Sequence, residues 1–182
     1  MNPWTSWSAH FNGCPPVGYL LREAVGERWL RVYNLPHGKR LPRSREQFAV
    51  VRERQNAVAA FVLGHRAKVI VWITSYKGAP RGAEWRGAPP RSDWSAGVSD
   101  ALGEPDPEFY YKQLTWVPGS LSEEFAEAAR GECGPMAVFS LGAAEVFCPY
   151  DGGMDLFLAD ASRVTLVRTR FSDWLSPLPS GL

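Results

Sequence analysis

The nine residues 68–76, with the sequence KVIVWITSY, constrain the fold most because nearly all of them are β-branched or aromatic. Such a run is typical of a central strand that is covered on both faces. A helix over residues 45–63 is predicted just before it. Ser44 and Gln47 form a capping-box pattern at its start, apolar residues recur on one helical face, and Gly64 provides a stop.

The rest of the chain reads as strands joined by short connections, with further helices inserted. Segments 18–23 and 28–35 predict an antiparallel hairpin. The other predicted elements are a strand over 108–118, a helix over 120–130, a meander over 137–141, 145–150 and 154–159, and a final helix ending near residue 175. The order β-β-α-β-β-α-β-β-β-α indicates the α+β class, with a mixed, mostly antiparallel sheet and about three helices.

Length and charge narrow the class of protein. We expect the 182 residues to form a single globular domain over 1–182, which is long enough to bury a core without disulfides. Twenty basic and nineteen acidic residues give a net charge of +1, which makes nucleic acid an unfavoured partner. No apolar run reaches the roughly 18 residues of a membrane span, and the N-terminus lacks the pattern of a secretory signal. We therefore expect no membrane association.

The three cysteines favour a reducing compartment. Cys14, Cys133 and Cys148 are odd in number and widely spaced, and there is no CxxC pair, which predicts free thiols and a cytoplasmic location. Cys148 falls in a predicted strand, where a small buried residue is more common than a nucleophile. The GxSxG, HExxH and glycine-rich phosphate motifs are all missing. The sequence therefore assigns no catalytic residue, metal or cofactor.

The stretch 77–107 differs in composition from its surroundings. It contains five Pro and five Gly and has no sustained period. A loop of this length is uncommon in a compact domain and is typical of a mobile or functional segment. Trp85 and Trp94, with several Arg nearby, are residue types enriched at protein interfaces. The alternative is that both indole rings fold back and pin the loop to the sheet.

Two groups of charged residues are candidates for ligand binding. Lys39, Arg40 and Arg43 come just before the predicted helix, where the positive end of the helix dipole favours anions. A solvated basic loop is the alternative. Asp151, Asp155 and Asp160 lie around a Gly-Gly turn and could bring carboxylates near one end of a hairpin, which would suit a hard cation, although turn and cap chemistry is the commoner role of such residues.

Four segments stand out together: CPPVGYLLR at 14–22, WLRVYNLPHGKR at 29–40, YDGGMD at 150–155 and DWLSPLPSGL at 173–182. They resemble a family of bacterial proteins of about this length that is known only as a domain of unknown function. The family's Lys-Arg pair corresponds to Lys39 and Arg40, and its Tyr-Asp-Gly-Gly turn begins at Tyr150 and precedes Asp155. His37 departs from the pattern expected before the basic pair. The resemblance implies a single-domain bacterial cytoplasmic protein and no particular activity.

Two classes of function remain open. The first is a non-catalytic binding or interaction module, immunity-like or regulatory, that uses the 77–107 loop to bind a protein partner. The second is a small enzyme acting on an anionic small molecule, with a composite site of Arg40, Tyr150, Asp151 and Asp155. A concave pocket joining the basic turn to the Asp-Gly-Gly turn favours a small ligand. A flat exposed patch around the loop favours a protein partner.

Overall fold

The computed structural model describes residues 3–75, 78–82, 84–88 and 107–176. Its strands are β1 (Trp29–Tyr33), β2 (Ala67–Ser75), β3 (Arg86–Gly87), β4 (Glu108–Trp116), β5 (Met136–Ser140), β6 (Glu145–Pro149) and β7 (Gly153–Phe157). Its helices are α1 (Pro3–Phe11), α2 (Gly18–Val25), α3 (Arg45–Leu63), α4 (Ser122–Arg130) and α5 (Ala161–Arg170). The strands form one sheet in the order β1-β7-β6-β5-β2-β4-β3, which confirms the α+β class.

The sheet is covered on both faces because its strands alternate between two apolar sides. In β2, Val69 and Val71 belong to a core cluster shared with α3, α4 and α5, whereas Ile70 and Trp72 belong to a cluster shared with α1 and α2. All four side chains are essentially inaccessible to solvent. The prediction of a central strand buried on both faces is therefore confirmed.

The long helix α3 follows its sequence pattern closely. The Ser44 hydroxyl accepts a hydrogen bond from the Gln47 N–H at 3.3 Å, and the Gln47 side-chain oxygen accepts one from the Arg43 N–H at 2.8 Å. The first bond satisfies a backbone donor that the start of a helix leaves unpaired, and the second joins the residue before the N-cap to the first turn. The β5–β6–β7 meander is also confirmed, with the Tyr150 N–H bonded to the Gly153 carbonyl across its second turn.

The predicted hairpin between 18–23 and 28–35 is wrong. Residues Gly18–Val25 form helix α2, and β1 pairs antiparallel with β7 instead. The reason is the spacing of Val17, Leu21 and Val25, which recur every four residues and contact the second core cluster along one helical face. The strand-like letters of this segment thus belong to an amphipathic helix.

Helix α1 is an element that the sequence prediction lacks. Its Trp4, Trp7 and Phe11 are spaced as one helical face and are buried against the sheet. The ring centroids of Trp4 and Trp72 are 4.8 Å apart, and those of Trp7 and Phe139 are 5.6 Å apart. Two of the eight tryptophans thus cover the centre of the sheet.

Three details of the predicted topology are corrected. The sheet is wholly antiparallel among the described strands, where a mixed, mostly antiparallel sheet was expected. The described residues contain five α-helices, where about three were expected. The last helix ends at Arg170 and gives way to a 3-10 turn, Ser172–Trp174. No helix in the described part of the chain is long and apolar enough to cross a membrane.

Residues 85–88 of the 77–107 stretch contact the sheet and the core. Arg86–Gly87 forms β3, which pairs with β4, so the stretch is not free of secondary structure. Trp85 is partly buried against the first core cluster, and the Lys112 ammonium lies 4.7 Å from its ring centroid. Lys112 also forms ion pairs with Glu84 and Glu124. Residues 89–106, and with them Trp94, lie outside the described residues.

Candidate functional site

Three neighbouring strands place an arginine, an aspartate and a cysteine in one row across the sheet. Arg31 of β1 is the register partner of Asp155 of β7, and Asp155 is in turn the partner of Cys148 of β6. Side chains at paired positions of antiparallel strands lie on the same face. The row therefore lies on the α2 side of the sheet, where the first residue of that helix, Gly18, comes closest to Asp155 and Cys148.

Arg31 and Asp155 form a two-pronged ion pair that is largely shielded from water. The Arg31 Nε donates to Oδ1 of Asp155 at 2.9 Å, and its Nη2 donates to Oδ2 at 3.2 Å. The side chains are 18% and 6% exposed, respectively. The Arg31 guanidinium also lies 5.4 Å from the Trp29 ring centroid and 5.3 Å from that of Tyr150. Ion pairing and both aromatic rings therefore hold it in place.

The pair lines a cavity of about 320 Å³, which we call the Arg31 cavity. Its other sides come from the start of α2, the loop after α4 and the β6–β7 turn. Glycines, cysteines and polar side chains form part of the lining: Gly18, Cys133, Gly134, Cys148, Tyr150 and Asp151. Ala128, Pro135, Met136 and Pro149 add apolar surface. The volume lies at the lower end of the range for small-molecule sites.

Two glycines allow the chain to close around this cavity. A Cβ at Gly134 would lie 1.8 Å from the Thr74 carbonyl oxygen, so no other residue fits without moving the backbone. A Cβ at Gly153 would lie 2.5 Å from the Val32 carbonyl oxygen. The loop after α4 and the start of β7 are thus pressed against neighbouring strands.

The thiols of the cavity are poor nucleophiles. Burial, with a smaller contribution from Glu127, raises the pKa of Cys133 from 9.0 to about 11. Burial and the nearby Asp155 charge raise the pKa of Cys148 well above its ordinary value. Both groups are protonated at neutral pH, whereas a reactive cysteine needs a depressed pKa. The packing role predicted for Cys148 fits this environment.

Two further groups of the cavity, Tyr150 and Arg31, keep their ordinary protonation states at neutral pH. Burial, and then the Asp155 charge, raises the pKa of Tyr150, so its hydroxyl is a hydrogen-bond donor. Burial works against the Arg31 charge, but the hydrogen bond and charge of Asp155 outweigh burial and raise the pKa of Arg31. The cavity therefore holds a charged pair beside neutral donors.

The predicted composite site is brought together in part. Tyr150, Asp151 and Asp155 all line the Arg31 cavity. Arg40 does not line it, but its Nε donates to the Asp151 carboxylate at 2.6 Å at the rim. The Arg40 side chain is 75% exposed, so this bond is open to water. The basic turn and the Asp-Gly-Gly turn thus meet at one edge of the cavity.

The other predicted site residues lie apart from it. Lys39 and Arg43 are exposed and do not line the Arg31 cavity. Trp85 lies on the first core cluster, away from the Arg31 row. The suggested cation site is not formed, because Asp151 and Asp155 each bind an arginine and Asp160 caps the start of α5 through the Arg163 N–H. Within the described ranges, no three His, Cys, Asp or Glu residues are grouped to hold a metal ion.

The sequence analysis missed Arg31, which lines the cavity and forms the ion pair with Asp155. Its partner Asp155 lies 124 positions away, and only the β1–β7 register brings them together. A signal was present, because Asp155 interrupts the apolar run of β7. A carboxylate in a buried strand requires a partner, and Arg31 lies in a strand of similar character.

The fold and the cavity define an α+β protein with an antiparallel sheet and a cavity of about 320 Å³ lined by its strands β1, β6 and β7. The chain belongs to the family described as a domain of unknown function, DUF3885, whose family model matches residues 17–179. This confirms the family resemblance. All seven strands and the whole Arg31 cavity lie within the matched range, whereas α1 lies outside it. No curated protein and no solved structure gives a significant match.

Proposed function

We propose that this chain is a non-catalytic binding module whose Arg31 cavity takes a small molecule with an anionic or acceptor-rich head. The observation that carries the proposal is the cavity itself, a space of about 320 Å³ lined by a shielded ion pair, a neutral tyrosine and apolar side chains. Few polar groups on a mostly apolar lining are typical of small-molecule sites.

The donors of the cavity define the chemistry of the ligand head. A guanidinium has five N–H groups. Two of those of Arg31 bond to Asp155, and the other three have no acceptor among the described residues. The protonated hydroxyl of Tyr150 adds a donor, and the start of α2 at Gly18 adds a positive helix end. A carboxylate, phosphate or carbonyl head complements this excess of donors.

The enzyme alternative has weaker support. Tyr150, Asp151 and Asp155 share one cavity, as a composite active site requires. However, Asp155 is engaged by Arg31, and both thiols are protonated at neutral pH. A general base needs a free carboxylate or an imidazole near the reacting atoms, and no histidine lines the cavity.

A protein partner bound through the 77–107 stretch is a second candidate for the same class of function. Trp85 offers limited support because its ring contacts Lys112 and the core. An immunity-like or regulatory role would then depend on residues 89–106. A bacterial, cytoplasmic location belongs to the same proposal, and the three free cysteines support it.

The test is a binding screen of small carboxylates, phosphates and neutral amides against the full chain at constant ionic strength. NMR of the arginine Nε–H groups and of the backbone reports which cavity responds. We expect saturable shifts at Arg31 and at the start of α2 with at least one acceptor-rich compound. If no compound produces saturable shifts there, the proposal fails.

A matched pair of variants gives the control. Gly18→Leu directs a side chain toward Cys148 and Asp155, since even a Cβ at this position lies 3.5 Å from the Cys148 Cβ. We expect it to weaken binding at least about tenfold. Gly142→Leu projects into open space and should bind as the wild type does. Unchanged affinity in the folded Gly18→Leu variant would contradict the assignment of the site.

The same samples separate binding from catalysis. Any compound that binds is incubated with the protein and followed by NMR for chemical change. A binding module leaves its ligand intact, whereas product that requires Asp155 would replace our proposal with the enzyme alternative.

A further inference from the structure

A second cavity, of about 450 Å³, lies between α3, the end of β1 and the C-terminal 3-10 turn. We call it the Arg54 cavity. Its lining includes Tyr33, Leu35, Arg54, Asp173, Trp174 and Leu175. The turn Pro36–Gly38 forms one side, and the Gly38 backbone approaches the Tyr33 ring so closely that a Cβ there would lie 3.4 Å from it. No residue lines both this cavity and the Arg31 cavity.

Arg54 is an unusual group to find in such a cavity. The residue is only 9% exposed and lies in the middle of α3, among the buried positions of that helix. Its Nη1 donates to the Tyr33 carbonyl oxygen at 3.1 Å, and its guanidinium lies 4.8 Å from the Trp174 ring centroid. It forms no ion pair with any described carboxylate, and its other N–H groups have no acceptor among the described residues.

Such an arrangement is unfavourable for a cation by itself. Burial lowers the pKa of Arg54, and the neighbouring Glu53 offsets this only in part. An arginine nonetheless stays charged in proteins, so the shielded charge here lacks an anion. Removing an ion from water costs several kcal/mol unless a partner of opposite charge compensates. The aromatic face of Trp174 supplies some of that compensation, and the helix position keeps the guanidinium at the cavity.

We propose that the Arg54 cavity binds the carboxylate of a small monoanionic molecule, with Arg54 as the anion-binding group and Trp174 as its support. A planar guanidinium with free N–H groups matches a carboxylate in a two-pronged geometry. This proposal is independent of the Arg31 cavity and of the ligand proposed for it.

The lining also favours one negative charge over two. Asp173 lies on the side of the cavity, and among the described residues its carboxylate accepts a bond only from the neighbouring Ser172 hydroxyl, at 3.4 Å. Its side chain is exposed, so its charge is screened but still repels a dianion more than a monoanion. A carboxylate with an uncharged or cationic remainder therefore fits better than a phosphate.

The first experiment uses the wild-type chain with acetate and inorganic phosphate as probes and chloride as the reference anion, at constant ionic strength. NMR follows the Arg54 Nε–H and the Trp174 indole N–H. We expect saturable shifts of both with acetate, weaker effects with phosphate, and none with chloride. Shifts of Arg54 and of the exposed Arg52 by the same amount would mean general screening and would overturn the proposal. Tighter binding of phosphate would overturn the choice of a monoanion.

A variant pair on one helix then tests the role of the guanidinium. Arg54→Lys keeps a positive charge but loses the planar fork, and we expect acetate affinity to fall at least about tenfold. Arg52→Lys makes the same change two positions away, on an exposed side chain, and should leave the affinity unchanged. If Arg54→Lys does not fold, the wild-type shift map decides alone, because absence of saturation at Arg54 there contradicts the site.

Discussion

Arg31 of β1 and Arg54 of α3 line separate cavities, and their surroundings differ. Arg31 meets a buried carboxylate, Asp155, through two hydrogen bonds. Arg54 meets a backbone carbonyl and an indole ring, and no described carboxylate contacts it. The first cavity is therefore close to neutral at its centre, whereas the second holds an uncompensated positive charge.

This difference separates two ways of binding a ligand. In the Arg31 cavity, shape and hydrogen bonds determine what binds, because Asp155 already balances the cation. In the Arg54 cavity, charge determines what binds, so affinity should fall more steeply with added salt. Measuring both affinities over a range of salt concentrations compares the two sites directly.

The largest expected effect comes from adding a side chain at Gly134, where the loop after α4 is pressed against β2. Gly134→Ala places a Cβ 1.8 Å from the Thr74 carbonyl oxygen, so the loop or β2 must move. We expect a loss of about 3 kcal/mol or more in the free energy of unfolding, measured by chemical denaturation. Gly142→Ala adds the same methyl group where nothing lies within 4 Å and should be nearly neutral. Equal stabilities of the two variants would show that the loop does not pack as described.

The next effect tests the comparison itself. Arg31→Met leaves the Asp155 carboxylate buried without its cation, and we expect a loss of about 2 kcal/mol because the arginine is partly exposed. Arg54→Met leaves no charge unpaired and removes one hydrogen bond and one ring contact, so about 1 kcal/mol or less is expected. Denaturation of both variants at low salt provides the measurement. A larger loss for Arg54→Met would reverse our account of the two cavities.

A smaller effect concerns the pH dependence of the first cavity. The folded state raises the pKa of Cys133 from 9.0 to about 11, so the protein holds this proton more tightly than the unfolded chain does. The resulting stability is present below pH 9 and is lost as the pH rises toward about 11. Because the thiol is partly exposed, we expect about 1 kcal/mol from it. Cys133→Ala should remove this part of the decrease in the free energy of unfolding between pH 9 and about 11. An unchanged decrease would contradict the burial of the Cys133 thiol.

The smallest effect is expected at the rim. Arg40→Ala removes an ion pair with Asp151 in which the arginine is 75% exposed. Exposed pairs contribute little, so we expect a change below about 0.5 kcal/mol in the free energy of unfolding. A loss above about 1 kcal/mol would mean that this turn holds the cavity together more strongly than its exposure indicates. Lys39→Ala, on the same exposed turn, is the reference substitution.

Local patterns predicted most of the fold. Ser44 and Gln47 marked the start of α3 correctly because a helix cap depends on residues three positions apart. The glycines of the β6–β7 turn marked the meander correctly because a tight turn also depends on residues close together in the sequence. The strand predicted around Leu21 was wrong because a short apolar run fits a strand as well as a helix. Only contact with the second core cluster decides between the two.

The candidate site was harder to predict because it depends on pairing between distant segments. Tyr150, Asp151 and Asp155 were found together because one turn holds them. Arg31 was missed because the β1–β7 register, which joins positions 124 residues apart, is not encoded near either residue. Arg54 was missed because a charged residue on a helix is ordinarily exposed. Only the packing of α3 shows that this position is buried together with the apolar positions of the helix.

The pairing of β1 with β7 has a consequence for how the protein folds during its synthesis on the ribosome. Among the described strands, β1 has β7 as its sole ladder partner, joined further only by a bridge from Val32 to Leu175. At about 5–20 residues per second, the stretch from Arg31 to Asp155 takes roughly 6 to 25 s to synthesise. Throughout that interval the first strand emerges without its partner, so the Arg31 cavity is completed only after Asp155 has been synthesised, and the Arg54 cavity only after Leu175.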